Sequence, residues 1–160
     1  MPIVLTRIDN RLIHGQVAVT WCSEVNANLI VVVDDKVCGD KTQQILLDMA
    51  APHGVGTRYF SVEEAIKKLP KAGPSQNVFI IAREVSVIVK LAEGGIPIKK
   101  LNIGNMHFKE GKKQISSAIS VDEEDIAAFE KLEAMGIECE ARRVPDENGT
   151  DVMKLIKEAE

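Results

Sequence analysis

Two short runs constrain the fold most: Leu29–Val33 (LIVVV) and Val78–Ala82 (VFIIA) are unbroken stretches of apolar, largely β-branched residues. A strand with one wet face alternates apolar and polar side chains, so a strand with no polar residue is buried on both faces. That is the condition of a central strand in a parallel sheet with helices above and below. The rest of the chain agrees, because strand-like and helix-like segments alternate throughout. Strands are expected at residues 3–8, 29–33, 56–60, 78–82, 100–103, 114–119 and 137–144.

The helices between them carry their own marks. One starts directly behind Gly15, with Val17, Val19, Trp21, Cys22 and Val25 at helical spacing. A second covers 40–50, with Ile45, Leu46 and Met49 on one face, and stops before Pro52 and Gly54. Ser61 followed by Glu64 is a capping-box pair, and Ser120 followed by Glu123 repeats it ahead of Ile126, Phe129, Leu132 and Met135. A helix over 85–92 is closed by Gly94, Gly95 and Pro97, and a last one covers 150–159. No linker, repeat or low-complexity segment interrupts the pattern. The expected fold class is α/β: a single domain over residues 1–160, an open twisted, mainly parallel sheet of about seven strands with helices on both faces. A chain of 160 residues buries about 70% of the surface its unfolded form exposes, enough for one core.

Composition removes several function classes. The net charge of −4 and the absence of a basic stripe or aromatic platform argue against a nucleic-acid partner. The lysine pairs Lys67-Lys68, Lys99-Lys100 and Lys112-Lys113 are separated and read as solvated faces. Cys22, Cys38 and Cys139 are odd in number and lack a C-x-x-C pair, so reduced thiols are expected and a zinc site is not. Met1-Pro2-Ile3 leads into a strand without a basic n-region, and no apolar stretch reaches the roughly 20 residues of a membrane span. A cytoplasmic location is expected, with any membrane connection made through partners.

Chemistry concentrates in one segment, Arg7-Ile8-Asp9-Asn10-Arg11-Leu12-Ile13-His14-Gly15-Gln16-Val17. A neutral imidazole is a nucleophile toward phosphorus, and guanidinium groups hold phosphoryl oxygens in a fork. His14 falls between the first strand and the first helix, where open α/β sheets bind ligands and where free helix N–H groups favour anions. Gly15 leaves room for a phosphate to approach the backbone. Arg7 and Arg11 are placed to neutralise the equatorial oxygens of an in-line transfer, each contact having a Coulomb magnitude of about 4 kcal/mol at about 4 Å and an effective dielectric near 20. No metal or cofactor is then required. Asp9 has three open roles: holding the imidazole tautomer, orienting an arginine, or capping the turn. Gln16 either donates to the phosphate or faces the helix surface.

This segment resembles the IIB subunits of the mannose-fructose-sorbose family in the bacterial sugar phosphotransferase system, whose N-terminal run is Arg-Ile-Asp-x-Arg-Leu-Ile-His-Gly-Gln-Val. All ten fixed positions match, with Asn10 at the variable one. Leu101-Asn102-Ile103-Gly104-Asn105-Met106 and the stretch 119–129 are similar to two later blocks of the family. Where mannose-type members tend to have Gly-Gly-Met, this chain has Gly104-Asn105-Met106 followed by His107, and that Asn-Met-His form resembles the N-acetylgalactosamine-type branch. The resemblance implies that His14 accepts a phosphoryl group on Nδ1 from the phosphohistidine of a IIA protein. It further implies that His14 passes the group to sugar, such as N-acetylgalactosamine or a related amino sugar, held by membrane subunits IIC and IID.

Weaker candidates lie elsewhere. Asn105, His107 and Phe108 are expected at the rim of the site or on a partner surface. His53 reads as a turn residue. Asp34 and Asp35 resemble the acidic pocket of a magnesium-dependent receiver domain, although solvated turn residues are the better reading. The rival function, a non-catalytic α/β signalling or nucleotide-binding module, lacks a P-loop or G-x-G-x-x-G run. The sequence is compatible with a monomer or a homo-oligomer.

Overall fold

A computed structural model describes residues 2–160; Met1 lies outside the described residues. The elements in chain order are β1 (Ile3–Asp9), α1 (Gly15–Val25), β2 (Leu29–Val33), α2 (Lys41–Ala50), β3 (Gly56–Phe60), α3 (Val62–Lys68), β4 (Val78–Ala82) and α4 (Val85–Glu93). They continue with β5 (Lys100–Asn105), β6 (Lys113–Ser116), β7 (Ile119–Val121), α5 (Glu123–Ala134), β8 (Glu138–Ala141), β9 (Thr150–Asp151) and α6 (Val152–Glu158). Seven strands form one sheet in the order β3-β2-β4-β1-β5-β8-β9. Neighbours are parallel except β9, which runs antiparallel to β8.

The two apolar runs lie side by side in that sheet, and every residue of β2 and β4 is buried. Ile30, Val32, Phe79 and Ile81 pack with Ala18, Trp21 and Cys22 of α1 and Leu47 of α2. Leu29, Val31, Val33, Val78, Ile80 and Ala82 belong to the opposite core, with Ala65 of α3, Ile88 of α4, Phe129 of α5 and Ile156 of α6. The period-two alternation of a strand thus sends adjacent residues into two separate cores, which is why neither run tolerates a polar residue.

This layering positions the site. The chain leaves β1 toward the α1 face and leaves the neighbouring β4 toward the α4 face. A crevice opens where such connections diverge, at the carboxyl ends of the strands. The β1–α1 loop containing His14 stands at that edge.

Four expectations are corrected. Residues 114–119 do not add a strand to the main sheet; they fall in the antiparallel hairpin β6-β7, and the seventh sheet strand is the short β9. The start of the expected last helix is therefore extended, and α6 begins at Val152 behind the Asp151 cap. The second capping box is Asp122 with Asp125, because Ser120 is buried in β7 and its N–H donates to the Met106 carbonyl at 2.9 Å. On α2 the Ile45, Leu46 and Met49 face turns to solvent, and Leu47 alone is buried. The Ser61–Glu64 box on α3 forms as expected.

Candidate functional site

β1 ends at Asp9, and residues 10–14 turn the chain into α1. The turn is tight enough to place Leu12 at φ 59°, a left-handed conformation that a bulky residue adopts only under constraint. The constraint is visible: Leu12 is 1% exposed, and its N–H donates to the Asp9 carbonyl at 3.0 Å. His14 is the N-cap residue of α1 and is exposed, and its side chain makes no cap bond. The first helical bond runs from Ala18 N–H to the His14 carbonyl, so the amides of Gly15, Gln16 and Val17 are free at the helix end beside the imidazole. Gly15 has φ +27°, and a Cβ there would meet open space. Gln16 is exposed on the first turn.

Asp9 organises the cations. Its Oδ1 accepts from Arg11 N–H and Arg11 Nε, both at 3.0 Å, and its Oδ2 accepts from Arg11 Nη2 at 3.0 Å and Arg7 Nη2 at 3.2 Å. All four lone-pair positions of the carboxylate are occupied. Asp9 therefore has none left for the imidazole, and of the three roles open from sequence it takes two, orienting an arginine and capping the turn. Arg11 spends two of its five side-chain N–H bonds on Asp9 and keeps three for a ligand. The hydrogen bond to Asp9 raises its pKa, so it remains a cation at any working pH.

Arg7 is placed differently from the sequence expectation. It is 1% exposed. Nη1 donates to Asn102 Oδ1 and to the Arg142 carbonyl at 3.1 Å, and Nη2 donates to Asp9 and to the Arg143 carbonyl at 3.1 Å. The remaining Nε–H is buried without an acceptor, and the guanidinium lies 5.5 Å from the Trp21 ring centre. Burial lowers its pKa, with Asp9 opposing. Arg7 is a structural cation behind the site, and Arg11 is the one facing solvent.

Asn105 is half-buried and accepts from Asn10 N–H through its carbonyl at 3.2 Å, while His107 and Phe108 are exposed at the same edge. Asn10, at the variable position of the motif, ties the rim together: its Oδ1 accepts from His107 N–H, its Nδ2 donates to the Arg83 carbonyl, and its own carbonyl accepts from Arg83 Nε at 3.1 Å. It lines a hollow of about 450 Å³ in the crevice with Arg83, His107 and Asp34. His53 is an exposed turn residue. Asp34 Oδ1 accepts from the N–H groups of Lys36 and Val37, and Asp35 Oδ1 from that of Val62, so both acids serve the local backbone.

Sequence reasoning missed Asn102, Gly104 and Trp21. A Cβ on Gly104 would lie 1.9 Å from Arg7 Nη2, so only glycine leaves the slot that Arg7 fills. A glycine and an asparagine inside a buried strand are the signals that mark such a close approach. Trp21 donates from Nε1 to the Arg143 carbonyl at 3.0 Å and so helps hold the loop after β8 against α1.

The model of the family described as PTS system sorbose subfamily IIB component matches residues 3–160. The chain belongs to this family. Among its relatives, the N-acetylgalactosamine-specific phosphotransferase enzyme IIB component 1 of Escherichia coli is 49% identical over 144 residues, covering 89% of this chain and 91% of that protein. The mannose-specific EIIAB component of Escherichia coli is 42% identical over 158 residues, 98% of this chain but 49% of that longer protein. The crystal structure of the IIBSor domain of the sorbose permease from Klebsiella pneumoniae superposes with a TM-score of 0.93 at 34% identity, over 100% of this chain and 99% of that one. As a IIB component the protein is a phosphotransferase subunit that accepts a phosphoryl group and transfers it to sugar together with other components of the system. Among the described residues no helix is long and apolar enough to cross a membrane.

Proposed function

We propose that His14 is the phosphoryl-carrying residue of this IIB component, with Nδ1 as the bonded atom, and that it receives the group from the phosphohistidine of a IIA protein. The observation that carries this reading is an exposed histidine at the N-cap position of α1, its imidazole making no cap bond, in the same five-residue turn as an Arg11 guanidinium locked by Asp9 with three donors unspent. In the first transfer the Nδ1 lone pair attacks phosphorus, a new N–P bond forms, and the donor's N–P bond breaks with its imidazole as leaving group. In the second, a sugar hydroxyl attacks the same phosphorus, its proton is released, and Nδ1 recovers its lone pair. Arg11 and the free amides of Gly15, Gln16 and Val17 hold the equatorial oxygens in both steps. Preorganised donors stabilise the charge without reorganising during the reaction.

The sugar is N-acetylgalactosamine or a related amino sugar, held by membrane subunits IIC and IID that bring this cytoplasmic protein to the membrane. Two observations support this choice: the Asn105-Met106-His107 form and the relative at 49% identity that is named for N-acetylgalactosamine. His107 and Phe108, exposed at the strand edge, form part of the partner-facing rim. The reading is tested by supplying phosphorylated IIA and radiolabelled sugar to membranes containing IIC and IID. Wild-type protein should yield sugar phosphate and His14→Gln none; equal product from the variant removes the proposal, and product from a different sugar alone removes the choice of sugar.

A further inference from the structure

Arg11 is fixed by the Asp9 carboxylate; Asp9 ends β1 opposite Asn105 of β5, so the sheet holds its backbone and what remains to be set is where the carboxylate points. Apart from Arg11 itself, the one hydrogen-bond partner of the Asp9 carboxylate among the described residues is Arg7 Nη2. The placement of Arg7 therefore decides the placement of the solvent-facing cation.

What places Arg7 is β5. Asn102 stands opposite Arg7 in the parallel register of β1 and β5 and is 4% exposed. A buried carboxamide requires partners at both ends. Asn102 Oδ1 accepts from Arg7 Nη1, and Nδ2 donates to the Arg142 carbonyl at 3.0 Å. The same Arg142 carbonyl accepts from Arg7 Nη1, so the carboxamide, the guanidinium and the start of the loop after β8 form a closed triangle. Two residues along β5, Gly104 leaves the space into which the Arg7 guanidinium fits. Apart from Asp9, the group that Arg7 positions, only Asn102 bonds Arg7 from a side chain inside a buried strand; the carbonyls of Arg142 and Arg143 belong to the loop.

We propose that Asn102 is a positioning residue for phosphoryl transfer at His14: it holds Arg7, which holds Asp9, which aims the Arg11 guanidinium at the transferring group. The proposal rests on the reading of His14 as the carrier. A residue that acts by aiming a transition-state donor changes the rate of transfer rather than donor binding, and its effect depends on the donor it aims.

The test measures phosphoryl transfer from phosphorylated IIA to the intact protein in wild type, Asn102→Leu, Asn102→Asp, Arg11→Ala and the Asn102→Leu/Arg11→Ala double variant. Leucine matches asparagine in shape but offers Arg7 no acceptor, whereas aspartate retains the acceptor, loses the donation to Arg142 and adds a charge that the Arg7 guanidinium pairs. The fluorescence of Trp21, the single tryptophan, verifies folding in each. The expected result is a kcat for Asn102→Leu lower by about tenfold at an unchanged KM for the donor, with Asn102→Asp closer to wild type. In the Arg11→Ala background the leucine substitution should change the rate by less than about twofold. Asn102→Ser, whose hydroxyl stops short of Arg7, replaces the leucine variant if that one does not fold. Wild-type kcat in whichever of the two variants folds overturns the proposal, as does an equal loss with and without Arg11. A wild-type protein that takes no label overturns the carrier reading itself, which is a different result from a labelled wild type with an unaffected variant.

Discussion

Asp9 is the residue whose loss should be felt on both stability and chemistry. It is fully buried, and each oxygen holds two N–H bonds from the flanking arginines. Replacing it by alanine leaves Arg7 buried without its counter-charge, a change that costs about 3–5 kcal/mol in comparable buried pairs. Denaturant unfolding of Asp9→Ala should show that loss, and phosphoryl transfer should slow with it. Arg11→Ala is expected to unfold near the wild-type midpoint but to transfer about 100-fold to 1000-fold more slowly, the effect of removing a preorganised donor. Arg11→Lys should not restore the rate, because an ammonium group cannot bridge both Asp9 oxygens and still face the ligand. Stopped-flow transfer assays separate these outcomes. At this scale the sequence supplies the residue types but not their burial. Arg7 and Arg11 look equivalent in the motif, and only the sheet reveals that Arg7 points inward against Asn102 while Arg11 sits in the loop. The clue to that difference was present at Asn102 and Gly104, two residues out of place in an apolar strand.

At the scale of elements, β2 and β4 were legible because burial on both faces leaves no alternative pattern. The segment 114–119 was not, since a hairpin on the rim and a strand in the sheet use the same apolar alternation over four or five residues. The helix α5 shows how a start signal is displaced: Ser120 and Asp122 both precede acidic residues at the capping distance, and strand β7 consumes Ser120. Asp122 accepts from Asp125 N–H at 2.8 Å while Asp125 Oδ2 accepts from Asp122 N–H at 3.1 Å. Asp122→Ala should therefore cost about 1 kcal/mol of stability at pH 7, whereas Ser120 is not a cap. The hydrogen bond donated by the Asp125 backbone N–H holds the Asp122 carboxyl below its ordinary 3.8. A depressed carboxyl stabilises the fold above its unfolded pKa and loses that contribution as the pH falls through the folded one. The stability gap between wild type and Asp122→Ala should thus shrink below about pH 4 and hold steady from about pH 5 upward, as read from urea midpoints.

Across the whole molecule, two cores share one sheet and each carries a buried thiol, Cys22 on the α1 side and Cys139 on the α5 side. Burial pushes Cys22 from 9.0 to about 11 and Cys139 from 9.0 to about 12. The unfolded chain releases these protons first as the pH rises, so the folded state binds more protons and loses stability above about pH 9, by at most about 1.4 kcal/mol per pH unit for each thiol. Cys22→Ala should flatten that alkaline slope in thermal unfolding, and the native protein should resist thiol alkylation at both positions near pH 8. The same two-core architecture frames the chemistry, because the divergence of α1 and α4 from adjacent strands opens the edge where His14 stands. The carrier role of that histidine is tested most directly by treating the protein with phosphorylated IIA and mapping the modified residue by mass spectrometry under alkaline conditions. A single acid-labile, base-stable phosphoryl group on His14, absent from His14→Gln, is the expected result; label on any other residue, or an acid-stable linkage, would contradict it.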